Sequence, residues 1–307
     1  MTRWRAAAGG ALVTVAACVV AWALAYPAAA LAVAAARALA DGAAVVTLGL
    51  AVVPALDGPR YRAALVRRAA GPLVVASATW VVAELARLIL AAAETAGSTV
   101  TGLELHQFWP FLSDTAPGRA GLLTVGAAAV VCAVAATARR SDVALVVSAG
   151  SACIGVVGHP LTGHLAGSPV GGVAVAAHTV AAAVWCGVLA ALVLTVDHRG
   201  QWARVLPRFS ALSTVCVSVL LVGGIAAGAT VLDAPAALYD TGYGRVLSAK
   251  IAVTVLLIAL GWRNRAFWLP AARSHRSTAA VSRTRAYTEL ALMAAALAAA
   301  ATLSVTG

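Results

Sequence analysis

The chain has 307 residues, of which 62% are hydrophobic and only 11% charged, and its mean hydropathy of +0.92 leaves almost no room for a water-soluble domain. The formal net charge of +11 does not mark a nucleic-acid binder, because the 22 Lys and Arg residues form no continuous patch. They fall in short hydrophilic gaps between apolar runs of about twenty residues, the length that crosses hydrocarbon, so the chain reads as a polytopic membrane protein.

In chain order, nine spans are predicted, near residues 8–27, 38–56, 71–92, 120–138, 143–159, 172–195, 210–231, 245–262 and 287–305. The fold class is an all-α transmembrane bundle with its N-terminus inside and its C-terminus outside. That orientation gathers Arg3, Arg5, Arg60, Arg62, Arg67, Arg68, Arg139 and Arg140 on the inner side, together with the arginines from Arg199 to Arg208 and from Arg263 to Arg285. The outer loops then carry Glu94, Glu104, Asp114, Asp233 and Asp240, with His106, His159 and His164. The first segment also has the grammar of a secretory signal, with Arg3 and Arg5 before an apolar stretch and Ala28, Ala29 and Ala30 after it. We read it as a retained helix.

Ionisable residues inside spans are costly and face a bundle interior. Asp41 lies one turn into the second span. On the third, Glu84 and Arg87 are three apart and can pair on one helical face, either as a structural ion pair or with Glu84 as a cation or proton relay. Lys250, one to two turns into the eighth span, is read as snorkelling or as pairing with a carboxylate, for which Asp41 is a candidate.

A degenerate duplication is visible in Asp114-Thr115-x-x-Gly118-Arg119 against Asp240-Thr241-x-x-Gly244-Arg245, and a constant offset upstream sets Arg37 on His178 and Arg67 on Arg208. It divides the chain into an N-terminal helix (1–36) and two four-helix repeats (37–170 and 171–307), parallel because each has an even number of spans. In each motif Asp or Thr can cap a helix that begins at the outer surface. Asp114 and Asp240 can also serve as outward carboxylates that attract cations.

The densest chemistry lies in the Gly/Pro-rich loop HPLTGHLAGSPVGG, where His159 and His164 precede His178 by less than twenty residues. Neutral imidazole is tolerable at a membrane boundary and ligates transition metals, so His164, His178 and His159 are candidate metal ligands. Pro169, Gly171 and Gly172 interrupt the helix between His164 and His178, which lets the first fold back over the mouth of the second's span. His106, beside Phe108 and Trp109, reads as interfacial with a lesser claim on metal, and His198 and His275 fall inside among arginines. Cys18, Cys132, Cys153, Cys186 and Cys216 lie within spans and form no Cys-x-x-Cys pair, so they read as packing residues. Cys186 is the exception, since it neighbours Trp185 on the His178 helix and a thiolate suits Cu(I).

Several motifs, taken in order, resemble the copper resistance D (CopD) family of bacterial inner-membrane proteins. They are Arg208-Phe209-Ser210, the Gly223-Gly224 span, TGYGRVLSAK at Thr241 to Lys250, GWRNRAFWLP at Gly261 to Pro270 and a last helix introduced by Glu289. The region from about 204 to 305 carries most of the likeness. TGHLAG and AAHTVAAAVWCGVLAAL extend it back to about residue 160, and the first 150 residues follow more loosely. The resemblance implies copper transport or handling across the bacterial plasma membrane, alongside an extracytoplasmic copper-binding partner protein. The chain departs from the family pattern in having no fused copper-binding domain and in placing Cys186 where Gly is common. Its methionines are only Met1 and Met293, so imidazole would have to supply most of the copper ligation.

The expectation is therefore a copper transport or resistance protein in the lipid bilayer. Copper is its cargo or bound ligand, His164, His178 and His159 are the metal residues, and Glu84, Asp41, Asp114, Asp240, Cys186 and His106 are accessory. A membrane redox protein that binds b-type haem through two histidines is the alternative of a different class, and a non-transporting accessory that delivers copper to an oxidase is a third. With no hydrolase triad and no nucleotide-binding loop in the sequence, the chain is not expected to be an enzyme or to pump on its own.

Overall fold

In lipid every backbone N–H and C=O must be satisfied within the segment, so apolar runs of this length resolve as helices. The computed structural model describes residues 15–26, 31–137, 141–162, 169–231 and 237–306, with the backbone alone at 169–170, 225–231, 237 and 305–306. Among the described residues every regular element is helical. The order is α1 (Val15–Ala25), α2 (Leu31–Val52), α3 (Pro59–Thr95), α4 (Leu105–Asp114), α5 (Ala116–Thr137), α6 (Asp142–Gly158), α7 (Pro169–Thr195), α8 (Arg199–Val231), α9 (Ala237–Asp240), α10 (Gly242–Arg263), α11 (Leu269–Arg273) and α12 (Ala279–Thr306). Among the described residues eight helical stretches are long and apolar enough to cross a membrane, and α1 is a shorter apolar helix. The chain is thus a multi-pass membrane protein whose spans follow the hydropathy pattern.

The helices differ from the predicted spans chiefly in running on through the basic gaps. α3 begins at Pro59 rather than near residue 71, and its 37 residues reach roughly 55 Å at 1.5 Å per residue, far beyond a hydrocarbon core of about 30 Å. Arg60, Arg62, Arg67 and Arg68 therefore ride on a helix, and Arg68 donates from Nη1 to the Thr195 carbonyl at 3.2 Å. α8 extends in the same way, through Arg199, Arg204 and Arg208. Pro72 and Pro207 sit inside these two helices without ending them. α4 is a helix in a segment read from sequence as an extended loop. At its start the Glu104 backbone N–H donates to Gln107 Oε1 at 3.3 Å, and Phe111 and Leu112 pack on Leu88 and Ala92 of α3.

The described chain separates into two compact units built from discontinuous pieces. One comprises Leu39–Thr195 and Ala211–Ala227. Within it α2 and α7 cross backbone to backbone at Gly49 and Gly187. A Cβ on Gly49 would fall onto the Gly187 carbonyl, and one on Gly187 would fall onto the Val45 carbonyl. Small residues are what permit so close an approach in a membrane bundle. α3, α5 and α6 form a second close-packed group, in which Trp80 lies over Gly155 and Thr124 donates to the Ala120 carbonyl at 2.9 Å.

The other unit comprises Met1–Ala38, Val196–Ser210 and Gly228–Gly307. Here Ala25 of α1 is fully buried with Val246, Ala299 and Leu303, and Arg245 Nε donates to the Leu24 carbonyl at 3.1 Å. α10 ends in a π-helical turn, Asn264–Trp268, whose inward side chains are both tied down. Asn264 Nδ2 donates to Glu289 Oε2 at 3.0 Å, and Trp268 Nε1 donates to Ser282 Oγ at 3.1 Å. Trp268 also packs against Trp202, with ring centroids 5.7 Å apart.

Candidate metal-handling site

On α3, Glu84 and Arg87 lie one turn apart and meet at 3.5 Å, the pairing their spacing predicts. Glu84 is 1% exposed and Arg87 11%. Spacing alone could not supply the third member. His159 follows the last residue of α6 and directs its ring at α3, where Nε2 is in hydrogen-bond contact with Glu84 Oε1. Arg87 Nη1 also lies 3.9 Å from Asp41 Oδ1 on α2. Glu84 thus meets both His159 and Arg87, and Arg87 in turn reaches Asp41, so three sequence candidates are linked in one chain of contacts.

Small residues bring these helices together. Gly121 of α5 faces Leu88, and a Cβ there would lie 3.7 Å from His159 Cε1. At Gly158 an added Cβ would come within 2.8 Å of Thr124 Oγ1. The imidazole is consequently 13% exposed, at the edge of the packed group.

The chemistry follows from the donor inventory. A neutral imidazole that presents Nε2–H to a carboxylate keeps its lone pair on Nδ1. Nδ1 has no hydrogen-bond partner among the described residues. This is how histidine is prepared for a metal, with a carboxylate fixing tautomer and orientation while the opposite nitrogen faces the ion.

The remaining candidates are placed as follows. His164 lies outside the described residues, as do Ala28, Ala29 and Ala30. His178 is half-buried on α7 and packs on Gly223 of α8, where an added Cβ would come 3.2 Å from its Nδ1. Trp185 and Cys186 are buried on α7, and the cysteines carry no disulfide among the described residues. His106 is exposed on α4 and lies 3.1 Å from Glu104. Asp114 and Asp240 are exposed, and it is the following Thr that caps the helix. Gly118 N donates to Thr115 Oγ1 at 3.0 Å, and Gly244 N donates to Thr241 Oγ1 at 2.9 Å. Among the described residues no three His, Cys, Asp or Glu side chains converge closely enough to hold a metal ion unaided.

Sequence reasoning did not find the Glu84–His159 contact, which joins residues 75 apart. The available signal was that both lie in the outer halves of spans, the third and the fifth, predicted to run in the same direction. That narrows the choice of neighbours without selecting one.

Comparison with known families bears on both halves of the chain. Residues 203–303 match the family model described as copper resistance protein D, and residues 28–174 match the model described as the copper resistance protein D-like N-terminal domain. No curated protein and no solved structure shows significant similarity. The two matches follow one another along most of a many-helix membrane chain, and the chain belongs to the copper resistance protein D family.

Proposed function

We propose that this protein moves copper across a bacterial plasma membrane through an outward-facing histidine site in which His159 is the ligand closest to the packed helices. The observation that carries the reading is the contact between the buried Glu84 carboxylate and His159 Nε2, an arrangement in which a neutral imidazole keeps its lone pair on Nδ1. His164, five residues further along, and His178 on α7 complete the ligand set, and Asp114 and Asp240 draw cations toward the outer surface. Copper is cargo, received from an extracytoplasmic copper-binding protein, and the chain performs no bond-making chemistry of its own.

The arginine distribution supports the orientation, since basic helix extensions belong on the inner side. In that orientation the end of α6, and His159 with it, faces outward. Copper accumulation in cells expressing the parent, His159→Ala, and the His164→Ala, His178→Ala double variant tests the proposal. Uptake should fall in both variants at unchanged protein level. Parent-level uptake in both would remove the imidazoles from the mechanism.

A further inference from the structure

We infer that the π-helical turn closing α10 and the short α11 after it form a binding surface for anionic phospholipid headgroups. From Trp262 to Thr288 the sequence holds six arginines, Arg263, Arg265, Arg273, Arg276, Arg283 and Arg285, and no Asp or Glu. The inward side of the turn is anchored by the Asn264–Glu289 and Trp268–Ser282 hydrogen bonds. Its outward side presents two large aromatics, with Trp262 78% and Phe267 68% exposed. Arg263, Arg265, Arg273 and Arg276 are exposed beside them.

Two of the exposed guanidiniums are uncommitted. Arg283 is engaged with the Val196 carbonyl and Asp197, and Arg276 Nε donates to Ser274 Oγ. The side chains of Arg263 and Arg273 make no hydrogen bond or ion pair with any described residue. α10 has 22 residues, close to the hydrocarbon thickness, so a helix that starts at the opposite face brings Trp262 to Phe267 to the headgroup level. There an exposed Trp sits as an interfacial anchor, and a planar guanidinium pairs with a phosphodiester through two parallel hydrogen bonds. A lipid meets both demands together, taking the aromatics into its acyl boundary and the arginines onto its phosphate.

The test uses the full-length protein reconstituted into bilayers of phosphatidylcholine with a fixed fraction of brominated lipid, either brominated phosphatidylglycerol or brominated phosphatidylcholine. Trp262 is the reporter, isolated by difference from a Trp262→Phe variant. The anionic quencher should quench Trp262 more than the zwitterionic one. The Arg263→Gln, Arg273→Gln double variant should lose that preference by on the order of fivefold per guanidinium. Arg263→Lys with Arg273→Lys should retain most of it, which separates lost charge from a damaged fold. Equal quenching by the two lipids in the parent would overturn the inference. So would a preference abolished by millimolar inorganic phosphate, which would make this a phosphate site and not a lipid one. Copper binding does not enter the readout, so the result stands apart from the function proposed above.

Discussion

Replacing Glu84 by Gln isolates the charge that organises the candidate site. Gln keeps the size of the side chain and an oxygen that can accept from His159 Nε2, but it removes the negative charge that Arg87 meets at 3.5 Å. Arg87 keeps Asp41 at 3.9 Å, so the guanidinium is weakened in its pairing and not stranded. Hydrogen bonds to charged groups are worth about 1.5–3 kcal/mol, and a loss of stability near the lower end of that range is expected. Glu84→Leu, which takes away both partner and acceptor, should cost about 3–5 kcal/mol, as breaking a buried pair does. The effect on metal is separate. Carboxylates behind a ligating histidine typically contribute 10- to 100-fold in metal affinity, so Glu84→Gln should weaken copper binding by about 1.4–2.8 kcal/mol. Competition with a chromophoric copper chelator on purified protein in detergent reads the affinity, and denaturant unfolding in the same detergent reads the stability. A variant that is destabilised yet binds copper as tightly as the parent would refute the reasoning, because Glu84 would then be a packing carboxylate whose contact with His159 has no bearing on metal.

Three further outcomes are expected. Gly187→Ala drives a methyl group into the Val45 carbonyl at the α2–α7 crossing and should cost about 1–3 kcal/mol in detergent unfolding, whereas Gly71→Ala, with open space around it, should be neutral or gain up to about 1 kcal/mol; equal stabilities would show that the crossing can relax. Thr115→Val and Thr241→Val each remove a cap and should lose about 1 kcal/mol, while Asp114→Asn and Asp240→Asn leave stability near that of the parent; the reverse order would transfer capping to the carboxylates. His275, at φ 55°, ends α11 with the same pair of backbone bonds that Gly97, at φ 62°, makes after α3, so His275→Gly should raise stability by about 1 kcal/mol and His275→Ala should not.

The sequence by itself determined the class of fold, because the physics is one-dimensional: runs of about twenty apolar residues must cross the membrane as helices whatever surrounds them. It also determined the Glu84–Arg87 pair and the repeated capping motif, both of which depend on residues within one turn of each other. Helix ends were less legible. Hydropathy marks where lipid stops, whereas a helix continues into the interface wherever arginine stems can lie along it, as α3 and α8 do. Only tertiary structure could bring His159 to Glu84, seat Trp80 over Gly155 and fit Gly49 against Gly187. Each of these contacts depends on how closely two helices approach and at what rotation, and in a chain so rich in alanine many pairings look alike until glycine, wherever the backbones must touch, selects one.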